Sequence, residues 1–304
     1  MHLRRSPCEI FARTPQSSRF AQGLVPAVVV LMIMLIGFPG IASAGDGAID
    51  INQAKVMAAG GFPFNISSRG RYRLTSSLLN NASANAIEVG ASFVDIDLNG
   101  FTVRSLMGGG IHTSVNGANF TTVHDGTVFS EQGALILLDS AAVRNVAGLS
   151  AAIGIQVGND SSVTDSITQN CGSRGIAAGV GAQVSGNRVV GNQGGGISVG
   201  NNSRISGNTV NGNVGDGIDT GDGAQVSGNI VVGNTSIGIL VFRSGSLITD
   251  NVIGPNTNFG LSCTFGGTGS GYARNTFTNG GGGNVSNPPC VNLGENLCDG
   301  KLCP

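Results

Sequence analysis

The sequence predicts an all-β fold, a single-stranded right-handed parallel β-helix with coils of about 21 residues, on three observations. First, VSGNRVVGNQGGGISVGNNSR from Val184, ISGNTVNGNVGDGIDTGDGAQ from Ile205 and VSGNIVVGNTSIGILVFRSGS from Val226 are equal in length. Second, two asparagine columns run through these coils: Asn187, Asn208, Asn229 and Asn251, then Asn192, Asn213, Asn234 and Asn256, with Asp165 and Asn170 assigned to the same places one coil earlier. Third, a Gly-Ile pair recurs at Gly196-Ile197, Gly217-Ile218 and Gly238-Ile239. The 51 glycines follow no collagen triplet and alternate with β-branched residues, the composition of short strands joined by tight turns.

Taken along the chain, residues 1–44 read as a secretory signal. Arg4, Arg5, Arg13 and Arg19 precede an apolar run from Leu24 to Ile41, and Ala42-Ser43-Ala44 supplies a small-residue cleavage site. The rival reading keeps that run as a membrane anchor, since its length is at the lower limit for crossing a bilayer. Residues 45–92 form an N-terminal cap and lead-in, with a short helix expected over 52–59.

The β-helix is expected over 93–279, in roughly eight coils. Side chains alternate along a strand and parallel strands stack about 4.8 Å apart, so Ile197, Val199, Ile205 and Val210 should point inward as part of a continuous aliphatic column. Asparagine at the turns can pair with the amide above and below, and glycine beside it takes the left-handed backbone.

Residues 280–304 lose the apolar period and close the chain. Cys263, Cys290, Cys298 and Cys303 crowd this end, whereas Cys171 stands apart as the odd thiol and Cys8 leaves with the signal. Two disulfides are expected, assigned as Cys263 with Cys290 and Cys298 with Cys303, although four cysteines allow three pairings.

FPFNISSRGRYRLTSSL ahead of the coils, VDIDLNGFTV, the repeated GNxxxGNxxxGI units and GENLCDGKLCP at the end resemble the exported bacterial right-handed β-helix repeat proteins, over nearly all of residues 49–304. The resemblance implies a pectate-lyase-like fold in a subgroup without an assigned activity, and a shared fold does not carry an activity across.

Three sets of side chains are weighed as sites. Asp216, Asp219 and Asp222 in one coil, with Arg243 placed 21 residues after Asp222, are the calcium candidate for a lyase that removes the proton α to a uronate carboxylate. Asp219 is expected to face out between inward Ile218 and Thr220, and the plainer reading of all three is a solvated surface. Asp95 and Asp97 share the outer face of a strand about 7 Å apart, a spacing open to glycoside hydrolysis, and here too a structural role is the plainer one. His112 and His124 read as exposed coil residues, and strand alternation is expected to keep His124 from pairing with Asp125.

A formal net charge of -1 removes the electrostatic reason for a nucleic-acid partner. With no Trp and two Tyr, the chain lacks the usual sugar-stacking residues. The function expected is an exported, non-catalytic β-helix, periplasmic, cell-surface or extracellular, that binds glycan or cell-envelope polymers without a cofactor. A calcium-assisted lyase acting on acidic polysaccharide is the alternative, and a purely structural envelope rod the next; a membrane contact arises only if the apolar N-terminal segment is retained.

Overall fold

A computed structural model describes residues 47–304 apart from 115–116, 151, 243, 265–268, 279–280 and 287–289. The expected signal at 1–44 and Arg243 lie outside the described residues. No helix among the described residues is long and apolar enough to cross a membrane.

Each turn of the chain contributes three short strands to three parallel columns. In the regular coils these are represented by Gln183–Ser185, Arg188–Val190 and Ile197–Val199, which pair with Arg204–Ser206, Thr209–Asn211 and Ile218–Thr220 one coil on. The third column holds 11 strands among the described residues, from Phe64–Ile66 to Gly283–Val285; eight of them lie within 93–279, the number expected there, and Phe64–Ile66, Ile87–Val89 and Gly283–Val285 add a turn each beyond those bounds. Eleven stacked strands advance about 50 Å.

Coil length varies outside the middle. Ile176, Ile197, Ile218 and Ile239 pair at intervals of 21, whereas Ile96 pairs with Val123, 27 residues on, and Val123 with Val143, 20 on. Parallel pairing also extends beyond 93–279: Ile49–Ile51 pairs with Gly70–Leu74, which pairs with Val94–Asp97, and Leu297–Cys298 stacks under Thr276–Phe277.

Ile197, Val199, Ile205 and Val210 are buried as expected, within one hydrophobic column that runs from Ile51 to Phe277. The one helix among the described residues, Gln53–Ala58, starts where Asn52 Oδ1 accepts the Lys55 N–H at 2.9 Å, and it buries Val56.

The asparagine columns are internal ladders. Asn187 Nδ2 donates to Asn208 Oδ1 at 3.0 Å, Asn208 to Asn229 at 2.9 Å, and Asn229 to Asn251 at 2.9 Å, while each acceptor oxygen also takes the backbone N–H of the asparagine before it. Asn192, Asn213, Asn234 and Asn256 repeat the pattern. One coil earlier the columns are occupied by Ser166 and Cys171, whose backbone N–H groups donate to Asn187 and Asn192. Asp165 and Asn170, assigned there by sequence, sit one residue away at φ 49° and 53°, a left-handed geometry that short polar side chains tolerate. Cys171 is a buried thiol in this column.

The disulfides join Cys263 to Cys290 and Cys298 to Cys303, with Cα separations of 5.6 and 5.0 Å. Cys263 belongs to the third column, so the first bridge ties the final coil to the one before it, and the second closes the antiparallel pair of Leu297–Cys298 with Lys301–Leu302.

One turn position lies just ahead of the first-column strand in nine successive coils: Phe93, Phe120, Ser140, Asp160, Gly181, Asn202, Gly223, Gly245 and Gly269, all with φ between 52° and 85°. Seven of the nine are Gly, Asn, Asp or Ser, as left-handed backbone favours, and two are phenylalanine.

Candidate functional site

The strands Val94–Asp97 and Thr121–Ser130 lie side by side, with Asp95 opposite Thr122 and Asp97 opposite His124. Val94 and Ile96 point into the core, which turns Asp95 and Asp97 outward. Residue alternation then fails at Asp125, whose φ of 60° bends the longer strand and brings its carboxylate back beside the preceding side chain. His124 and Asp125 are therefore paired, Nδ1 to Oδ2 at 2.7 Å, against the sequence expectation. The expectation assumed continuous strand geometry, which one left-handed residue is enough to break.

The other ring nitrogen faces a second carboxylate, His124 Nε2 to Asp95 Oδ1 at 3.1 Å, and Asp97 Oδ1 stands 3.8 Å from Nδ1. Three carboxylates thus surround one imidazole whose side chain is 7% exposed, so His124 is no exposed coil residue. Ionised carboxylates only accept, and each ring nitrogen of His124 faces one.

The rim of the cluster is polar. Arg71 Nε lies 3.4 Å from Asp95, Arg144 Nη1 3.8 Å from Asp125, and Asn145 Nδ2 donates to Asp125 Oδ1 at 2.7 Å. The Asn145 hydrogen bond, helped by that from His124, holds the Asp125 carboxyl below its ordinary range. Asp97 also accepts the Asn99 N–H at 2.7 Å, which closes the turn that follows.

Asp125 leads into an open groove of about 330 Å³, lined also by Gly100, Gly126, Thr127, Asn145, Val146, Ala147, Asp165 and Ile167. Gly126 admits the close packing beneath it, since a Cβ there would meet Leu98 Cβ at 2.4 Å. Outward carboxylates, amides and a hydroxyl beside an aliphatic floor make a surface able to accept hydrogen bonds from a polyhydroxylated ligand.

Asp97, His124 and Asp125 each place a ligand atom within 4.8 Å of the others, and among the described residues this is the set with the makings of a metal site. Asp216, Asp219 and Asp222 are not gathered in this way. Asp216 Oδ1 accepts the Ile237 N–H and Asp222 Oδ1 the Ser244 N–H, both at 2.9 Å, so these two carboxylates close turns. Asp219 stands between Ser198 and Leu240 on the third column, half-buried rather than fully solvated. Burial pushes its carboxyl up to about 6, with Arg174 opposing the rise and Asp216 adding to it. His112 is half-buried too, its Nε2 2.9 Å from Gly133 O, and burial lowers its pKa.

Comparison with protein families matches residues 133–279 to the right-handed β-helix region. The chain is a right-handed β-helix repeat protein. Among solved structures this β-helix is similar to the Dettilon tailspike protein, with a TM-score of 0.53 and 15% identity over 82% of this chain. It spans 62% of the tailspike chain, and a likeness at that identity shows the fold alone. The catalytic domain of a GH87 α-1,3-glucanase in complex with tetrasaccharides also matches, at a TM-score of 0.31 and 10% identity, covering 84% of the β-helix and 68% of the glucanase chain, a likeness too weak to argue from. No curated protein matches the chain by sequence.

The His124 cluster was missed because its members lie in coils of irregular length. A signal was present nonetheless: FVDID from Phe93 and FTTVH from Phe120 align residue by residue across the two strands.

Proposed function

We propose that the protein is an exported, non-catalytic β-helix that binds a glycan against the outer face of Val94–Asp97 and Thr121–Ser130. The observation that carries this reading is the cluster of Asp95, Asp97, His124 and Asp125, whose Asp125 also lines the 330 Å³ groove. Carboxylates held in place by an imidazole and two arginines are preorganised acceptors for sugar hydroxyls, and their ordering precedes binding. The same contacts favour binding over catalysis, because both ring nitrogens of His124 already face carboxylates and neither is left for a substrate. Two disulfides suit an oxidising compartment, in keeping with cleavage after Ala44 and release outside the cytoplasm. The helix Gln53–Ala58 serves as the N-terminal cap of the stack, with Val56 covering the first coil.

Titration calorimetry against soluble polysaccharides tests the reading. Wild type is expected to bind a glycan, and Asp95→Asn and Asp97→Asn to lose at least tenfold in affinity, as each removes an ionised acceptor. Equal affinity in the variants would move the site elsewhere. Unsaturated-uronate absorbance near 235 nm, with calcium and an acidic polysaccharide, would instead establish the lyase and return attention to Asp216, Asp219 and Asp222.

A further inference from the structure

Phe93 and Phe120 are the two places where the repeated left-handed turn carries a bulky aromatic residue. Both have φ near 60°, a conformation unfavourable for such side chains, at a position that later coils fill with Ser140, Asp160 or Asn202. Burial does not repay this strain, for Phe93 is 62% exposed and Phe120 48% exposed. Their rings stack on one another instead, with centroids 4.7 Å apart and planes within 3°. That separation is the strand spacing, so the two coils hold a stacked aromatic pair that stays exposed at the surface.

The pair stands on the strands of the His124 cluster. Asp95 follows Phe93 by two residues and Thr122 follows Phe120 by two, a step of about 7 Å along the same strands. An apolar platform beside fixed hydrogen-bond acceptors suits a sugar ring, whose C–H face packs on an aromatic surface while its hydroxyls reach polar groups. The charge selects among sugars. Asp95, Asp97 and Asp125 face the ligand side, and Arg71 and Arg144 are already beside Asp95 and Asp125, so a uronate polymer would meet carboxylates whose cations are engaged.

We propose that Phe93 and Phe120 form a stacking platform for a pyranose ring of an uncharged polysaccharide, with Asp95 as the adjoining hydroxyl acceptor. This rests on the glycan-binding reading and adds to it the platform and the class of sugar. It puts phenylalanine in the place of the Trp and Tyr that usually stack on sugars.

Phe93→Asn and Phe120→Asn put a residue suited to left-handed backbone at each position, so melting temperature should hold or rise. Binding would be measured with soluble β-glucan, xylan and mannan as neutral probes and polygalacturonate and alginate as acidic ones. The expected result is wild-type binding to a neutral probe, upfield ring-current shifts of its C–H protons in NMR, and about tenfold weaker binding in each variant. Unchanged affinity and shifts in the folded variants would overturn the platform while leaving glycan binding intact. A preference for the acidic probes would overturn the sugar class. Binding of wild type to none of the five would remove the glycan reading and the platform with it.

Discussion

The coils from Asn187 to Asn275 and those from Phe93 to Asn145 share one backbone plan and use it differently. In the later coils the same amide recurs at the same turn, and Asn187, Asn208, Asn229, Asn251 and Asn275 bond in sequence at 2.9 to 3.0 Å. In the earlier coils the interval changes from 27 to 20 residues, ladder positions lack asparagine, and outward positions hold carboxylates, an imidazole and exposed phenylalanines. Repetition gives each side chain an identical neighbour and so favours ladders. Departure from it brings unlike groups together, and that is where a site can form.

Breaking a ladder should have the largest effect. Asn208→Leu removes the oxygen that accepts from both the backbone and the amide of Asn187, and the amide that donates to Val184 O and Asn229. Buried groups left without partners cost about 1 to 3 kcal/mol each, so denaturant unfolding should show a loss of about 3 kcal/mol or more. Hydrogen exchange should also rise in the coils on either side. A midpoint equal to wild type would mean that the ladder does not stabilise the regular coils.

Opening the last coil should come next. The Cys263–Cys290 bridge closes a separation of 27 residues, worth about 3 kcal/mol on a chain-entropy account. Reduction should speed exchange in the final coils first, and uniform protection with and without reductant would contradict a local role.

The smallest change sharpens the contrast on the regular side. Asp219 has a folded pKa raised from 3.8 to about 6, so the unfolded chain loses this proton first as pH rises. The contribution of Asp219 to stability should therefore be greatest below about pH 4 and fall as pH rises towards 6. Asp219→Asn should remove that slope and melt slightly above wild type at pH 7. A pH profile unaltered by the substitution would show that the carboxylate is fully solvated, as its outward strand position first suggested.

The sequence carried the fold throughout 93–279 but not its extension on either side, and it lost the contacts between coils where spacing drifted. The aliphatic and asparagine columns could be read directly, and the presence of two disulfides from the crowding of four cysteines at one end, whereas which cysteines pair is decided by the stacking of the last coils. Asp165 and Asn170 went one place astray because Asp and Asn suit both a ladder and a left-handed turn, and only register separates Asp165 from Ser166. For the site, Asp95 and Asp97 were recognised as outward-facing, but their meeting with His124 depends on a 27-residue interval that no neighbouring coil repeats. Pairing of His124 with Asp125 depends further on one backbone angle. Asp216, Asp219 and Asp222 attracted notice as a cluster in sequence, yet two of them serve turns of the repeat.

The most direct test is hydrogen exchange of the wild-type protein with and without the glycan it binds best. Slower exchange confined to the strands Val94–Asp97 and Thr121–Ser130 and to the groove residues near Asn145 is the result predicted. Protection centred on the regular coils from Asn187 to Asn275, with the Phe93 to Asn145 region unchanged, would contradict the division between a stabilising stack and a ligand-binding one.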